Sequence, residues 1–346
     1  MLSRIPPVRS SLLVLAVFVV GAGIGALVIA LSDHNTPTSI VVKRVVISAP
    51  AVSTTTTARS RPAVVSDPAA TRRRPASYAS TVPAGAGASF ASLESRLAGS
   101  VGLAVAPLGS GPIMAFGQVR VAHAWSTSKV PVLTTLLYDD ATDGRILSPQ
   151  ERTDAALALE QSNNAAIEAL FAELEQIHGG LIPASEAVQQ MLSNGGDDTT
   201  IINTAPNDQG FTTYGQTEWP VTGEVTFYRS LARGCLLDPH DTAYVLGLMR
   251  NVIGYERWGA GSAGYPSSLT VAFKGGWGPD SSGDYQVRQT AIIGSGNRGY
   301  VVSMLALPSS GTFADGTSMI TALATWARQH FNIDANTPSP RCAAQP

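Results

Sequence analysis

Charge of either sign is scarce in this chain. Lys and Arg number 23 against 25 Asp and Glu in 346 residues, a formal net charge of −2. No basic excess therefore points to a nucleic acid partner. Cysteine is almost absent, with only Cys235 and Cys342. The pair permits one disulfide in an oxidising compartment or two separate thiols, and it excludes a cysteine-rich scaffold. The five histidines are scattered, and neither cysteine has a ligand-like neighbour pattern, so no metal or other cofactor is expected. A Gly-x-Ser-x-Gly elbow is also missing, which argues against a Ser-His-Asp hydrolase built on that turn.

Hydrophobic residues make up 44% of the chain but are unevenly spread. Leu12 to Leu31 is an unbroken run of apolar and small residues, about the length of a membrane-crossing helix. Arg4 and Arg9 precede it, and the positive-inside bias puts residues 1–11 in the cytoplasm and everything after the run outside. An uncleaved anchor in the cell membrane is the reading adopted. Secretion after signal cleavage is the alternative. Residues 32–87 are rich in Pro, Ser, Thr, Ala and Val, too polar and broken to offset the entropy of ordering, and read as a disordered tether. As a flexible coil it would reach roughly 40 Å. Arg72, Arg73 and Arg74 within it could touch an anionic polymer weakly or simply be solvated.

A globular domain is expected over 88–333, followed by a tail over 334–346. Helix is predicted from Phe90 to Leu97, then a hairpin of Val101 to Val105 and Ile113 to Phe116. Ser126 opens a helical run in which Pro131 must lie near the start. Ser148-Pro149-Gln150-Glu151 is a capping box before a helix to Leu159. A further helix runs from Ala165 to His178, residues 194–216 form a long loop, and helices follow from Pro220 to Ala232 and from Asp238 to Met249. Leu269 to Lys274, Arg288 to Gly294 and Tyr300 to Leu307 read as strands, and Gly316 to His330 as a closing amphipathic helix. Strands at both ends with helices between imply an α+β fold, its antiparallel sheet made from the two termini and an all-helical lobe inserted between them.

Three short motifs carry the chemistry. Ser126-Thr127-Ser128-Lys129 places a hydroxyl and an amine one helical turn apart, on the same face. Ser162-Asn163-Asn164 puts a second hydroxyl and an amide on a turn between helices, and Lys274-Gly275-Gly276 sets a cation beside bare backbone. Each motif alone is weak, whereas the ordered triple is an acyl-transfer arrangement.

That triple resembles the Ser-x-x-Lys, Ser-Asp-Asn and Lys-Thr-Gly signature of class A β-lactamases and penicillin-binding proteins, over about residues 88–333. The resemblance implies Ser126 as nucleophile and Lys129 as its proton acceptor. It also implies Ser162 as proton relay to the departing nitrogen, and Lys274 as positive potential. Asn164 would hold the substrate amide, the oxyanion hole would use backbone N–H groups of Ser126 and Trp277 beside Gly276, and Arg288 would pair with a substrate carboxylate. The implied partners are a peptidoglycan stem peptide or a β-lactam.

Departures from that pattern are informative. Gly275 stands where the signature has a hydroxyl residue, and Asn163 where it has Asp. The loop from Gly195 to Gln216 contains no glutamate, although class A enzymes carry there the glutamate that activates water. Asp208 or Glu218 could take its place as water activator, or each could be a solvated carboxylate. The sequence therefore predicts acylation with slow deacylation, and a catalytically degenerate wall-binding module as the alternative.

Overall fold

A computed structural model describes residues 83–205, 211–331 and 342. The expected membrane segment, residues 32–82 of the tether with Arg72 to Arg74, and Asp208 all lie outside them. Among the described residues, no helix is long and apolar enough to cross a membrane.

Helix α1 (Ala86–Glu94) opens at Gly85, whose φ of 79° is left-handed. It starts and stops earlier than the predicted Phe90 to Leu97, and past Ser95 the i→i−4 bonds give way to Arg96 N–H on Leu93 O and Leu97 N–H on Glu94 O, which ends the α-helix. Strands β1 (Gly99–Pro107) and β2 (Met114–Gly117) form the expected hairpin. A short strand β3 (Val121–His123) leads into a 3-10 turn at Trp125–Ser128, and α2 (Lys129–Thr142) continues directly from it. Pro131 thus falls in the first turn of α2, where no partner for a proline N–H is needed.

The capping box of α3 (Pro149–Glu160) is formed in both directions. Glu151 N donates to Ser148 Oγ at 3.2 Å, and Ser148 N donates to Glu151 Oε2 at 2.5 Å. Next, α4 (Asn164–His178) is capped by Asn163 and ended by left-handed Gly179. The helix after it, α5 (Leu181–Asn194), is absent from the sequence reading. Its buried Ala184, Val188, Met191 and Leu192 have helical spacing, but Gly179, Gly180 and Pro183 mask it as a break.

After a loop, β4 (Glu218–Pro220) pairs antiparallel with β3 in a small ribbon the sequence did not announce. The chain continues with α6 (Val221–Ala232), α7 (Pro239–Arg250), β5 (Val271–Pro279), β6 (Tyr285–Ser295), β7 (Arg298–Pro308) and α8 (Phe313–His330). β5 runs through its glycines to Pro279 instead of ending at Lys274.

The main sheet is antiparallel in the order β2-β1-β7-β6-β5. Strands from both ends of the domain share it, so the described fold is α+β as predicted. Both faces are covered. In β1, Leu103 and Val105 join Phe90, Ile320, Leu323 and Trp326 under α1 and α8. Ala104 and Ala106 instead join Val132, Leu133, Val225 and Leu231 on the side of the helical lobe. Strands covered on both faces read as continuous apolar runs, which explains the lack of polar alternation in Val101 to Ala106. Cys235 and Cys342 are disulfide-bonded, with Cα atoms 5.2 Å apart.

Candidate active site

Among the described residues, only two other than glycine have positive φ: Trp125 at 48° and Ser162 at 57°. Each costs on the order of 1–3 kcal/mol and persists only where surroundings over-determine it. The first immediately precedes the nucleophile candidate. Its turn is fixed by Ser128 Oγ donating to Trp125 O at 2.6 Å, Thr127 Oγ1 donating to Ala124 O at 2.7 Å, and Tyr228 OH donating to Thr127 O at 3.0 Å. The second is held by its C-terminal neighbour, since Asn163 Oδ1 accepts from Ala166 N at 2.9 Å and anchors α4. Asn163 thereby performs the capping that an aspartate would perform there.

These two strained points bring the motifs together. Ser126, Ser162, Asn164 and Trp277 line one cavity of about 110 Å³, together with Trp125, Phe211 and Thr212. Lys129 lies beneath it, 1% exposed, and its Nζ donates to Ser162 O at 2.5 Å and to Asn164 Oδ1 at 2.8 Å. Lys274, also 1% exposed, donates from Nζ to Ser162 Oγ at 2.7 Å and to Gly275 O at 3.1 Å.

Burial, and then the charge of Lys274, push the Lys129 amine down to about 6 against weaker opposition from Glu256 and Glu168. Burial also lowers Lys274, to about 8, with Glu256 opposing. Near neutral pH one amine is thus largely a free base and its neighbour largely an ammonium. A neutral Lys129 has two N–H bonds, both spent on Ser162 O and Asn164 Oδ1, and its remaining lone pair is available to a hydroxyl.

β5 is an edge strand, so it offers unpaired backbone groups along its outer side. Gly276 is required there by close approach. A Cβ at this position would sit 2.8 Å from Ala124 O and 2.9 Å from Ser126 N. Gly275 has a different reason, because a Cβ there would lie 2.5 Å from the Trp258 indole. That ring fills the space a hydroxyl residue would need.

Arg288 requires correction. Its side chain is wholly buried and ion-paired with Glu224, and Nη1 donates to the carbonyls of Ala122, His123 and Trp219 at 3.0, 3.0 and 3.2 Å. The guanidinium therefore braces the β3–β4 ribbon that leads into the nucleophile turn, and does not reach a substrate. Glu218 is exposed on β4, opposite His123 in the register, and does not line the cavity. Asp208 lies outside the described residues. Asp197 is an internal anchor, accepting from Trp219 Nε1 at 2.8 Å and Thr200 Oγ1 at 2.6 Å. Glu168, Phe211, Glu224, Glu256 and Trp258 were missed by sequence reasoning. None sits in a motif, and each matters only through a partner far away in the chain.

No family model matches the sequence, and no curated protein is detectably similar to it. Solved structures do match its shape. A class A β-lactamase from Mycobacterium abscessus is 19% identical with a TM-score of 0.57, the match covering 70% of this chain and 98% of that one. A β-lactamase from Burkholderia vietnamiensis is 14% identical with a TM-score of 0.57, over 71% of this chain and 96% of the other. The chromosome-encoded β-lactamase of Vibrio parahaemolyticus is 14% identical with a TM-score of 0.56, over 71% and 98%. At such identities the likeness speaks for the fold alone, and this chain has the fold seen in class A β-lactamases.

Proposed function

We propose that the chain is a membrane-tethered, extracytoplasmic serine hydrolase or acyl-transferase that forms an acyl-enzyme on Ser126 with a β-lactam or a D-Ala-D-Ala peptide, and that it deacylates slowly. One observation carries the reading: Ser126 and Ser162 line one cavity, Lys129 Nζ donates to Ser162 O and to the cavity-lining Asn164, and Lys274 Nζ donates to Ser162 Oγ. In the first step the lone pair of Lys129 takes the Ser126 proton as Oγ attacks the carbonyl carbon. Because Ser162 Oγ accepts from Lys274, its own hydrogen is free to pass to the departing nitrogen. Backbone N–H groups of Ser126 and Trp277 would hold the oxyanion, consistent with the approach of Gly276 to the Ser126 amide.

Slow release is supported by the fate of the loop carboxylates. Asp197 is tied to Trp219 and Thr200, and Asp198 accepts from Ser193. Without a carboxylate from this loop to activate water, release should be slower than in an enzyme that has one there, since a general base typically contributes 10²- to 10⁴-fold. Intact-mass measurement after incubation with a penicillin tests the reading: an adduct is expected, and none on a Ser126→Ala variant. Hydrolysis of a chromogenic cephalosporin at the rate of an efficient β-lactamase would refute slow release. The tether through Leu12 to Leu31 belongs to the same proposal, and alkaline extraction of expressing cells should leave the chain in the membrane fraction.

A second reading, a catalytically idle wall-binding module, is favoured by one feature. Two groups expected to hold a substrate carboxylate are lost, one to the Trp258 ring over Gly275 and the other to the Arg288–Glu224 pair. Absence of any penicillin adduct would favour it.

A further inference from the structure

We propose that Glu168, carried by α4, activates the water that hydrolyses the acyl-enzyme, in place of the missing loop glutamate. The inference rests on the acyl-enzyme reading of Ser126 and adds a residue to it. Asn164 and Glu168 are four residues apart in α4, so their side chains stack on one face about one turn apart. Asn164 lines the cavity and holds Lys129 Nζ at 2.8 Å. From the opposite side, Tyr214 OH donates to Glu168 Oε1 at 3.3 Å, and Thr212, two residues before Tyr214, lines the same cavity. The carboxylate is therefore bracketed by two segments that form the cavity wall, just behind Asn164.

Three further features suit the role. Glu168 is open to solvent, as a water activator must be, whereas Tyr214 is buried to 1% exposure. Burial, then the charge of Glu168, hold the Tyr214 phenol well above its ordinary value. The phenol thus keeps its proton and donates it, pinning Oε1 and leaving Oε2 to accept from water. Glu168 itself is raised by loss of hydration and by Glu175, and lowered by the Tyr214 hydrogen bond and by Lys129. Its competitors are otherwise occupied. Asp197 accepts from Trp219 of β4 and Asp198 from Ser193 of α5, Glu218 is on the outer ribbon, and Glu256 is buried to 4% exposure and closed to bulk water.

The step balances as an ester hydrolysis. Water gives one proton to Glu168 and its oxygen bonds to the acyl carbon. The bond from that carbon to Ser126 Oγ then breaks, and the proton returns to Oγ by way of Lys129, leaving a free acid and the original enzyme.

The test uses the full chain as wild type, Glu168→Gln, Glu168→Asp and Tyr214→Phe. Each is pulsed with a penicillin, freed of excess reagent and followed by intact mass. Adduct decay is expected to slow by about 10²-fold in Glu168→Gln relative to wild type. Glu168→Asp should recover part of the decay rate, and Tyr214→Phe should lie between wild type and Glu168→Gln. Equal decay in wild type and Glu168→Gln overturns this inference alone, as does a wild-type adduct that never decays. A wild-type chain that forms no adduct removes the acyl-enzyme reading, and this inference with it.

Discussion

Two lysines bonded to Ser162, Lys129 at its carbonyl and Lys274 at its hydroxyl, can divide the labour of proton transfer only if their protons bind with different strength. Burial lowers both, and the extra push of Lys274 on Lys129 separates them, at about 6 and about 8. These values set the sign of the pH dependence. Below about 6, Lys129 is protonated and cannot accept from Ser126. Above about 8, Lys274 loses the charge that polarises Ser162. The rate of Ser126 acylation should therefore be bell-shaped between those values, as stopped-flow measurement against pH would show. Glu256 raises both amines, so Glu256→Gln should move both limbs to lower pH, and an unmoved profile would contradict this assignment. Gly276→Ala provides a steric test at the same scale. Its Cβ would press on Ser126 N and Ala124 O, and a displacement of that size costs about 10²-fold in acylation.

At the scale of elements, the β3–β4 ribbon leads into the turn that holds Ser126. It is too short to be stable alone, and the buried guanidinium of Arg288 supplies what it lacks by bonding carbonyls on both its strands. Glu224 from α6 and Ser303 from β7, whose Oγ donates to Glu224 Oε2 at 2.5 Å, complete the brace. Arg288→Ala leaves a buried carboxylate without its partner, and about 3–5 kcal/mol of stability should be lost in urea unfolding. If Arg288 instead served substrate binding, stability would hold and affinity for carboxylate-bearing substrates alone would fall. The elements that sequence reasoning located well, α3 and α4, are those with local signals: a capping box, a capping Asn163 and a closing Gly179. The element it missed, α5, begins with glycines and a proline that locally argue against a helix. Its apolar face becomes decisive only when packed on α2 and α4.

Across the described residues, a sheet covered on both faces joins the first strands to the last, and a disulfide ties the segment between α6 and α7 to Cys342. Cys235 and Cys342 are 107 residues apart in sequence, so the bond closes a long loop of the unfolded chain. Replacing both by Ser should lower stability by about 2–4 kcal/mol, read as a fall in denaturation midpoint matched by reduction of the wild type. From the sequence alone come the α+β class, the strands and helices other than α5, β3 and β4, and the three motifs that hold Ser126, Lys129, Ser162 and Lys274. These rest on periodicity, caps and short motifs, all of which act between residues near in the chain. Only the tertiary structure decided that Arg288 braces the ribbon, that Trp258 excludes a side chain at Gly275, that Lys129 loses its proton near neutrality, and that Glu168 stands behind the cavity. Each of those depends on burial and on charges brought close from remote segments, and neither quantity exists until the chain has folded.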